Sequence, residues 1–242
     1  MLSPENLGQF TSLYQTDTEN VVREYCQHLF LSFLYREPGS ERLLFKGGTA
    51  LRIVFGSPRF SEDLDFTGSH ITASEAENLF TDTLANVEKT GIKVEVHEGK
   101  PTSGGYLGIA YFHAYGIRTA VQIEVSLRSR TGIKGTRTII QGDFLPPYTL
   151  VHLPVDSLTE GKLQALQARQ KPRDFYDYFF LLCGNFPQAK EKKTLMSVLS
   201  LLRKSKINFR TELKKFLPAS HAMLLRDFKK TLEEKIMSFG VK

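Results

Sequence analysis

The amino-acid sequence predicts an α+β protein, with a small mixed β-sheet and its helices followed by a domain built only of helices. Two observations carry this prediction. Up to about residue 155, stretches typical of strands alternate with helical patterns, and from about residue 157 apolar residues recur at helical spacing to the end of the 242-residue chain. Prolines at positions 146, 147 and 154 mark the boundary, so we predict domains at residues 1–155 and 156–242.

Two helices are predicted ahead of the sheet. The first covers residues 3–16, where Ser3 and Pro4 suit the cap and the first helical position. The second begins at Asp17 or Thr18 and continues to about residue 35, because its apolar residues recur at steps of three and four. The apolar residues 43–45 then predict a short buried strand.

A glycine turn follows this strand, within Phe-Lys-Gly-Gly-Thr-Ala-Leu at residues 45–51. Gly47 and Gly48 let the backbone approach a ligand closely, since neither carries a Cβ. Residues 49–55 have the apolar spacing of a short helix, and the N–H groups at the beginning of a helix suit a phosphate. Gly47, Gly48 and Thr49 are therefore candidate phosphate-binding residues.

Two carboxylates come next, within Arg-Phe-Ser-Glu-Asp-Leu-Asp-Phe at residues 59–66. Asp63 and Asp65 alternate with apolar residues, so in a strand both carboxylates point to one face and the apolar side chains to the other, into a core. Carboxylates this close repel each other unless a cation neutralises them, and oxygen ligands of this kind suit Mg²⁺ or Mn²⁺. Either motif alone is more often a turn or a solvated strand end, but their succession favours a site.

The rest of the sheet region contains one helix and several strands. A helix is predicted from Thr72 or Ser74 to about residue 90, and strands at residues 92–98, 106–114 and 119–127, with a loop at 99–105 and a short edge segment at 138–141. On the strand at 119–127, Glu124 lies on the polar side. It is either a third metal-binding carboxylate or a solvated residue of an amphipathic strand.

The glycine turn and the acidic strand resemble the signature of the AbiEii/AbiGii family of nucleotidyltransferase toxins, Lys-Gly-Gly-Thr-Ala-Leu followed by Arg-x-Ser-x-Asp-x-Asp. That family is similar to the DNA polymerase β-type nucleotidyltransferases. The resemblance implies a polymerase β-like nucleotidyltransferase core with a small mixed sheet, plus a C-terminal helical domain. It implies that Asp63 and Asp65 are catalytic and hold the metal with Glu124, where the superfamily more often has Asp. Lys46 and Arg59 are then expected to contact the triphosphate, and Thr49 stands where many members have Ser.

A second block, residues 160–177, predicts one helix, a break and a second helix that begins at Pro172. An amphipathic helix with solvated charges explains it, but it also resembles the family's second signature, a Lys followed by Arg-Asp-x-x-Asp after a Pro. Lys162, Arg173, Asp174 and Asp177 match it. The resemblance implies that Lys162 and Asp174 are essential, with Lys162 binding the triphosphate. Asp174 would orient that lysine or assist a proton transfer, and Arg173 is a further nucleotide contact.

The composition is that of an ordinary globular protein, with a formal net charge of +6 and 41% hydrophobic residues. The distant Cys26 and Cys183 have no metal or redox spacing, which predicts buried, reduced thiols and a cytoplasmic protein. No apolar run approaches the ~18 residues of a membrane span, and residues 1–6 do not read as a signal peptide. The Lys-rich residues 190–242 are either the basic exterior of a helical bundle or an RNA footprint.

The resemblance implies a metal-dependent nucleotidyltransferase toxin of a toxin–antitoxin or phage-defence system. It would transfer a nucleotide from an NTP to an acceptor, with Mg²⁺ or Mn²⁺ as cofactor, and the family suggests the 3′ end of a tRNA. We expect a monomer held in check by a cognate antitoxin protein, with no membrane partner. Two alternatives remain at this stage: an enzyme that modifies a small molecule or a protein, and a non-catalytic RNA-binding module with the same fold.

Overall fold

The computed structural model describes residues 4–128 and 132–241. The chain forms two compact units. The first unit, called the sheet unit below, comprises residues 1–56 and 60–154. The second unit, called the helical unit below, comprises residues 155–242 together with the short segment Ser57–Arg59.

The sheet unit contains seven strands, four α-helices and one short 3-10 helix (Ser40–Arg42) among the residues described. Its helices are α1 (Pro4–Tyr14), α2 (Thr18–Leu34), α3 (Gly47–Phe55) and α4 (Ala73–Glu88). Its strands are β1 (Leu43–Lys46), β2 (Asp63–Gly68), β3 (Lys93–Thr102), β4 (Gly105–Ala114), β5 (Ile117–Ser126), β6 (Thr136–Ile140) and β7 (Tyr148–His152). They form one mixed sheet in the order β3-β4-β5-β2-β1-β7-β6, in which β2 runs parallel to β5 and antiparallel to β1. The predicted mixed sheet is confirmed.

One face of this sheet carries the apolar core beneath α2 and α4. Leu64 and Phe66 of β2 are fully buried. The ring of Phe80 on α4 lies 6.2 Å from that of Phe30 on α2 and 5.9 Å from that of Tyr106 on β4, measured between centroids. The alternation of β2 therefore places its apolar side chains in the core, as the sequence predicts, and turns Asp63 and Asp65 to the opposite face.

The structure corrects two parts of the sequence prediction. Residues 99–105 are not a loop, because β3 continues to Thr102 and only Ser103 and Gly104 separate it from β4. The breakers Gly99 and Pro101 are tolerated there because β3 is an edge strand, where a missing N–H need not break a ladder. Strand β7 was not predicted. It pairs with β1 and with the edge strand β6.

The helical unit is built from α5 (Val155–Arg169), α6 (Pro172–Cys183), α7 (Lys192–Lys204), α8 (Phe209–Leu213), α9 (Ala222–Arg226) and α10 (Phe228–Met237). Aromatic rings fill its core, with Phe228 stacked on Tyr176 at 5.9 Å and tilted against Phe209 at 5.1 Å between centroids. Pro172 is the first residue of α6, as predicted. Cys26 is buried, but Cys183 is exposed at the end of α6, contrary to the prediction. No helix in the described part of the chain is long and apolar enough to cross a membrane.

Candidate active site

The glycine turn brings the backbone directly against an acidic side chain. Gly47, the first residue of α3, has φ +85°, a conformation that glycine adopts readily and other residues rarely. A Cβ atom at Gly47 would lie 2.0 Å from the Oδ2 atom of Asp65. Glycine is therefore required at this position both for the backbone conformation and for the place of the Asp65 carboxylate.

The beginning of α3 presents backbone N–H groups that the helix itself does not use. The N-cap residue Lys46 has an extended backbone, and its side chain does not cap the helix. Thr49 is buried, and its Oγ1 donates a 2.5 Å hydrogen bond to the carbonyl oxygen of Asp63, which ties α3 to the beginning of β2. The Thr49 hydroxyl thus has a structural partner, while the N–H groups of the first turn can interact with an anion.

Charged residues of three neighbouring strands form a row across the polar face of the sheet. Asp65 of β2 lies in register with Lys46 of the antiparallel strand β1 and with Glu124 of the parallel strand β5. Asp63, two residues earlier on the same face, lies in register with Gln122. The predicted shared face of Asp63 and Asp65 is confirmed, and the row reads Lys46, Asp65, Glu124.

Lys46 places a positive charge among these acids. Burial lowers the pKa of its ammonium group, whereas the carboxylates of Asp65 and Glu124 act in the opposite direction and favour the charged form. An ammonium group here partly neutralises the acidic row when no other cation is present. Because lysine is a compact point charge on a flexible stem, it can also turn toward a phosphate.

The acidic face suits a hard divalent cation bound through few protein ligands. Asp63 and Asp65 supply carboxylate oxygens on one face, and the missing Cβ of Gly47 makes room for the Asp65 carboxylate itself. Within residues 4–128 and 132–241, however, no three His, Cys, Asp or Glu side chains are gathered closely enough to hold a metal. Two carboxylates, completed by water and substrate phosphates, match the usual coordination of Mg²⁺, and the role of Glu124 as a ligand stays a prediction.

A second cluster of charges is buried in the helical unit, around Asp177 of α6. The Nε and Nη2 atoms of Arg59 donate hydrogen bonds of 2.7 and 3.0 Å to Oδ1 and Oδ2 of Asp177. Lys162 of α5 donates a 2.7 Å hydrogen bond to the same Oδ2 atom. The side chains of Arg59 and Asp177 are 5% and 3% exposed, and that of Lys162 is 12% exposed. Two cations therefore pair with a single carboxylate at a site that is largely shielded from bulk water.

The electrostatics of this cluster favour the charged forms of Asp177 and Arg59. Burial alone would raise the pKa of Asp177, but Arg59 and Lys162 together lower it to about 2. Burial likewise opposes the guanidinium charge of Arg59, but Asp177 outweighs it and raises the pKa of Arg59 above its ordinary value. Two cations against one carboxylate leave a surplus positive charge, and Lys162 is the more exposed of the two cations.

Asp174 has a different set of partners from the one that the sequence suggests. Its carboxylate accepts a 2.6 Å hydrogen bond from Nη2 of Arg169 and a 3.1 Å hydrogen bond from the backbone N–H of Lys171. It therefore caps the beginning of α6, and Asp177, not Asp174, contacts Lys162. This corrects the expectation that Asp174 orients the lysine. Arg173 is partly exposed, with its Nε atom 3.8 Å from Oε1 of Glu212.

The sequence pattern did not reveal that Asp177 lies at the centre of a buried charge cluster. It was identified only as part of the second signature, on the same helical face as Asp174. The pair with Arg59 joins residues 118 positions apart, so no local pattern reveals it. The available signal was an acid within residues 175–182 of α6, which are otherwise aromatic or aliphatic, because a carboxylate buried there requires a cationic partner.

The sequence matches a known family over most of its length. Residues 30–237 match the family described as nucleotidyl transferase AbiEii toxin of a type IV toxin–antitoxin system. Together with the fold, this defines the protein as a nucleotidyltransferase. It belongs to the AbiEii toxin family.

Solved structures share the fold at low sequence identity. JHP933 from Helicobacter pylori superposes with a TM-score of 0.65 at 18% identity, covering 93% of each chain. A second H. pylori protein, described as a putative nucleotidyltransferase, gives a TM-score of 0.62 at 17% identity, over 92% of this chain and 95% of that one. MenT4, a nucleotidyltransferase toxin from Mycobacterium tuberculosis H37Rv, gives a TM-score of 0.63 at 15% identity, over 99% of this chain and 90% of that one. No curated protein matches the sequence significantly.

Proposed function

We propose that this nucleotidyltransferase acts with Mg²⁺ or Mn²⁺ and transfers a nucleotide from an NTP to RNA, with the 3′ end of a tRNA as acceptor. One observation carries the proposal. Asp63 and Asp65 share a sheet face directly beside Gly47 and the uncapped beginning of α3. Carboxylates for a cation and N–H groups for phosphates are the two requirements of nucleotidyl transfer.

In the proposed reaction, the 3′-hydroxyl oxygen of the acceptor forms a bond to the α-phosphorus of the NTP. The bond between the α-phosphorus and its bridging oxygen to the β-phosphorus breaks, pyrophosphate leaves, and the hydroxyl proton passes to solvent. When bound by Asp63 and Asp65, the metal would polarise the phosphate oxygens and stabilise the charge that develops on them. The N–H groups of Gly47, Gly48 and Thr49 would hold phosphate oxygens, and Lys46 would supply a positive charge.

The helical unit contributes further proposed residues. Lys162 would bind the triphosphate through the surplus positive charge of its cluster, as the family's second signature implies. Arg59 was expected to contact the triphosphate directly. Its contacts with Asp177 support a positioning role instead, since the guanidinium and Lys162 share that carboxylate. Asp174 would order the beginning of α6, and Arg173 is a further proposed contact for a phosphate.

The family also supports the biological setting that we propose. A toxin of a type IV toxin–antitoxin system has a cognate antitoxin. We propose that an antitoxin restrains this protein, which acts as a monomer in the cytoplasm. The neighbouring open reading frame is the first place to look for it.

The proposal is tested by incubating purified protein with each labelled NTP in turn and total cellular RNA, with Mg²⁺, with Mn²⁺ or with EDTA. We expect one or more NTPs to label RNA of tRNA size in the presence of the metal, and sequencing of the labelled RNA to find the added nucleotide at the 3′ end. Label that appears in a small molecule or in a protein would instead assign a different acceptor. No labelling with any NTP would contradict the proposed reaction.

A further inference from the structure

Positive charge is concentrated in the part of the sequence that forms the helical unit. Residues 155–242 contain 18 Lys and Arg residues against nine Asp and Glu residues, whereas residues 1–154 contain 14 against 17. Within this unit, a pocket of about 540 Å³ lies between the segment that leads into α8 and the beginning of α10. Its lining includes five cations and a single acid, Asp227.

Three of the five cations have no acidic partner, and one of these three, Lys229, donates instead to backbone carbonyl oxygens. Arg226 pairs with Asp227 at 3.2 Å, and Lys230 is 3.9 Å from Glu234. Lys229 donates a 2.7 Å hydrogen bond to the carbonyl oxygen of Ser205, the C-cap residue of α7. Among the residues that the structure describes, Lys206 and Arg210 form no ion pair, and both are exposed at the pocket. The pocket therefore holds positive charge that nothing in the described chain neutralises.

The floor of the pocket is apolar and well packed. Phe209 and Phe228 line it, are almost completely buried, and lie 5.1 Å apart between ring centroids. They anchor α8 and α10 in the aromatic core, so Arg210 and Lys230 lie on packed helices, while Lys206 lies on the segment between α7 and α8. A concave site of this volume fits one or two nucleotide units.

We propose that this pocket binds the phosphodiester backbone of a single-stranded RNA segment, with Lys206 and Arg210 as its principal contacts. The inference rests on the proposed function, in which RNA is the acceptor. Unpaired cations around a concave apolar floor suit the alternating phosphates and uncharged faces of a nucleic-acid strand. A flat anionic bilayer would not reach into a pocket. An acidic protein is the competing occupant, which the test distinguishes.

The test measures RNA binding without NTP, so that it does not depend on catalysis. A fluorescein-labelled single-stranded RNA of about 12 nucleotides is titrated with the full chain, and anisotropy is followed at several salt concentrations. The double variant Lys206→Glu/Arg210→Glu removes the two unpaired cations. Lys192→Glu/Lys193→Glu is the matched control, since it makes the same change in net charge at exposed positions of the helical unit outside the pocket.

We expect the pocket variant to bind at least about tenfold more weakly than the control. Its plot of log K against log salt concentration should flatten by about 1.4, corresponding to 0.7 for each lost phosphate contact on a single strand. Equal weakening in both variants would show a general effect of charge and overturn the proposal, as would unchanged binding in the pocket variant. Saturable binding of an acidic peptide with no binding of RNA would assign the pocket to a protein instead.

The RNA-binding inference and the proposed reaction can fail separately. Asp65→Asn should bind the labelled RNA as tightly as the wild type while losing transfer. If the pocket variant transfers nucleotides to RNA at the wild-type rate and binds it normally, only the inference about the pocket fails. If the wild type binds RNA at the pocket but no NTP is ever transferred, the proposed reaction fails and the binding site stands.

Discussion

Lys162 and Asp177 are joined by a 2.7 Å hydrogen bond in which the lysine ammonium donates to Oδ2 of the carboxylate. The same carboxylate accepts two hydrogen bonds from Arg59. Two cations on one buried acid make the side-chain position of Lys162 well defined and leave its charge incompletely neutralised. This geometry suits the contact with a phosphate that we propose for Lys162.

The first prediction concerns Lys162→Ala. We expect the fold to persist, because Arg59 still neutralises Asp177. Nucleotide transfer should fall at least tenfold, since a hydrogen bond to a charged group contributes about 1.5–3 kcal/mol. Transfer is measured with labelled NTP, and the fold by circular dichroism. The control Lys192→Ala removes an exposed cation from the same unit and should leave transfer unchanged. If Lys162→Ala transferred nucleotides at the wild-type rate, Lys162 would have only a structural role, as a partner of Asp177.

The second prediction separates the two acids of α6. Asp177→Asn leaves Arg59 buried without a full counter-charge, so we expect the free energy of unfolding to fall by about 3–5 kcal/mol. Asp174→Asn should cost only about 1 kcal/mol, the usual value of a helix cap, because its partner Arg169 is 49% exposed and can return to water. Urea denaturation of both variants gives the comparison. Similar losses in the two would contradict the buried cluster.

The third prediction concerns acid stability. Arg59 and Lys162 overcome the effect of burial and lower the pKa of Asp177 to about 2 in the folded protein, below its ordinary value of 3.8. The carboxylate therefore stabilises the fold fully above about pH 4, and this stabilisation disappears as the pH falls toward 2. The shift corresponds to about 2 kcal/mol. Urea denaturation between pH 5 and pH 2 should show this loss in the wild type, and Asp177→Asn should show a smaller pH dependence; equal slopes would contradict it.

The fourth prediction uses two glycines with similar backbone conformations. Gly47 is the first residue of α3 and Gly56 is its C-cap, with φ values of +85° and +74°. An alanine at either position costs about 1–2 kcal/mol for the left-handed conformation. Only at Gly47 would the new methyl group overlap Asp65, whereas nothing lies within 4 Å of a Cβ at Gly56.

Gly47→Ala should therefore reduce transfer by roughly 100-fold, the usual effect of displacing a catalytic group by about 1 Å. Gly56→Ala should be destabilised by a similar amount but remain active once the folded fraction is taken into account. Thermal denaturation and labelled-NTP transfer on both variants provide the measurements. Equal activity in the two variants would show that the position of Asp65 does not matter for the reaction.

The sequence predicted the elements of the fold that depend on local pattern. Strand β2 and helix α3 follow from alternation and from the glycine turn, both of which act within a few residues. The hairpin between β3 and β4 was wrongly predicted as a loop, because Gly99 and Pro101 usually break a strand and are tolerated here by its place at the edge of the sheet. Strand β7 follows Pro146 and Pro147 closely, and its place depends on pairing with β1.

In the candidate site, too, features set by neighbouring residues could be predicted, whereas contacts between residues distant in the sequence could not. The shared face of Asp63 and Asp65 could be predicted because side chains in a strand alternate. The position of Lys46 opposite Asp65 depends on strand pairing, and the contact between Arg59 and Asp177 depends on the tertiary fold. A single sequence contains the residue types of both clusters but not the partner of each charge.

We propose that Asp63 and Asp65 bind a divalent cation on which nucleotide transfer depends. Asp65→Asn is the sharpest test of this proposal, because the substitution removes one charge at nearly constant size. Asp82→Asn, on the exposed side of α4, is the matched control. A ligand that binds only the folded state raises the melting temperature, so Mg²⁺ should stabilise the wild type and Asp82→Asn more than it stabilises Asp65→Asn.

The decisive measurement is the incorporation of labelled NTP into total RNA by these three proteins, with Mg²⁺ present and at equal folded concentration. We expect the wild type and Asp82→Asn to label RNA at comparable rates and Asp65→Asn to label it only at background. An Asp65→Asn protein that adds nucleotides at the wild-type rate would contradict the metal-binding role of this strand and the mechanism built on it.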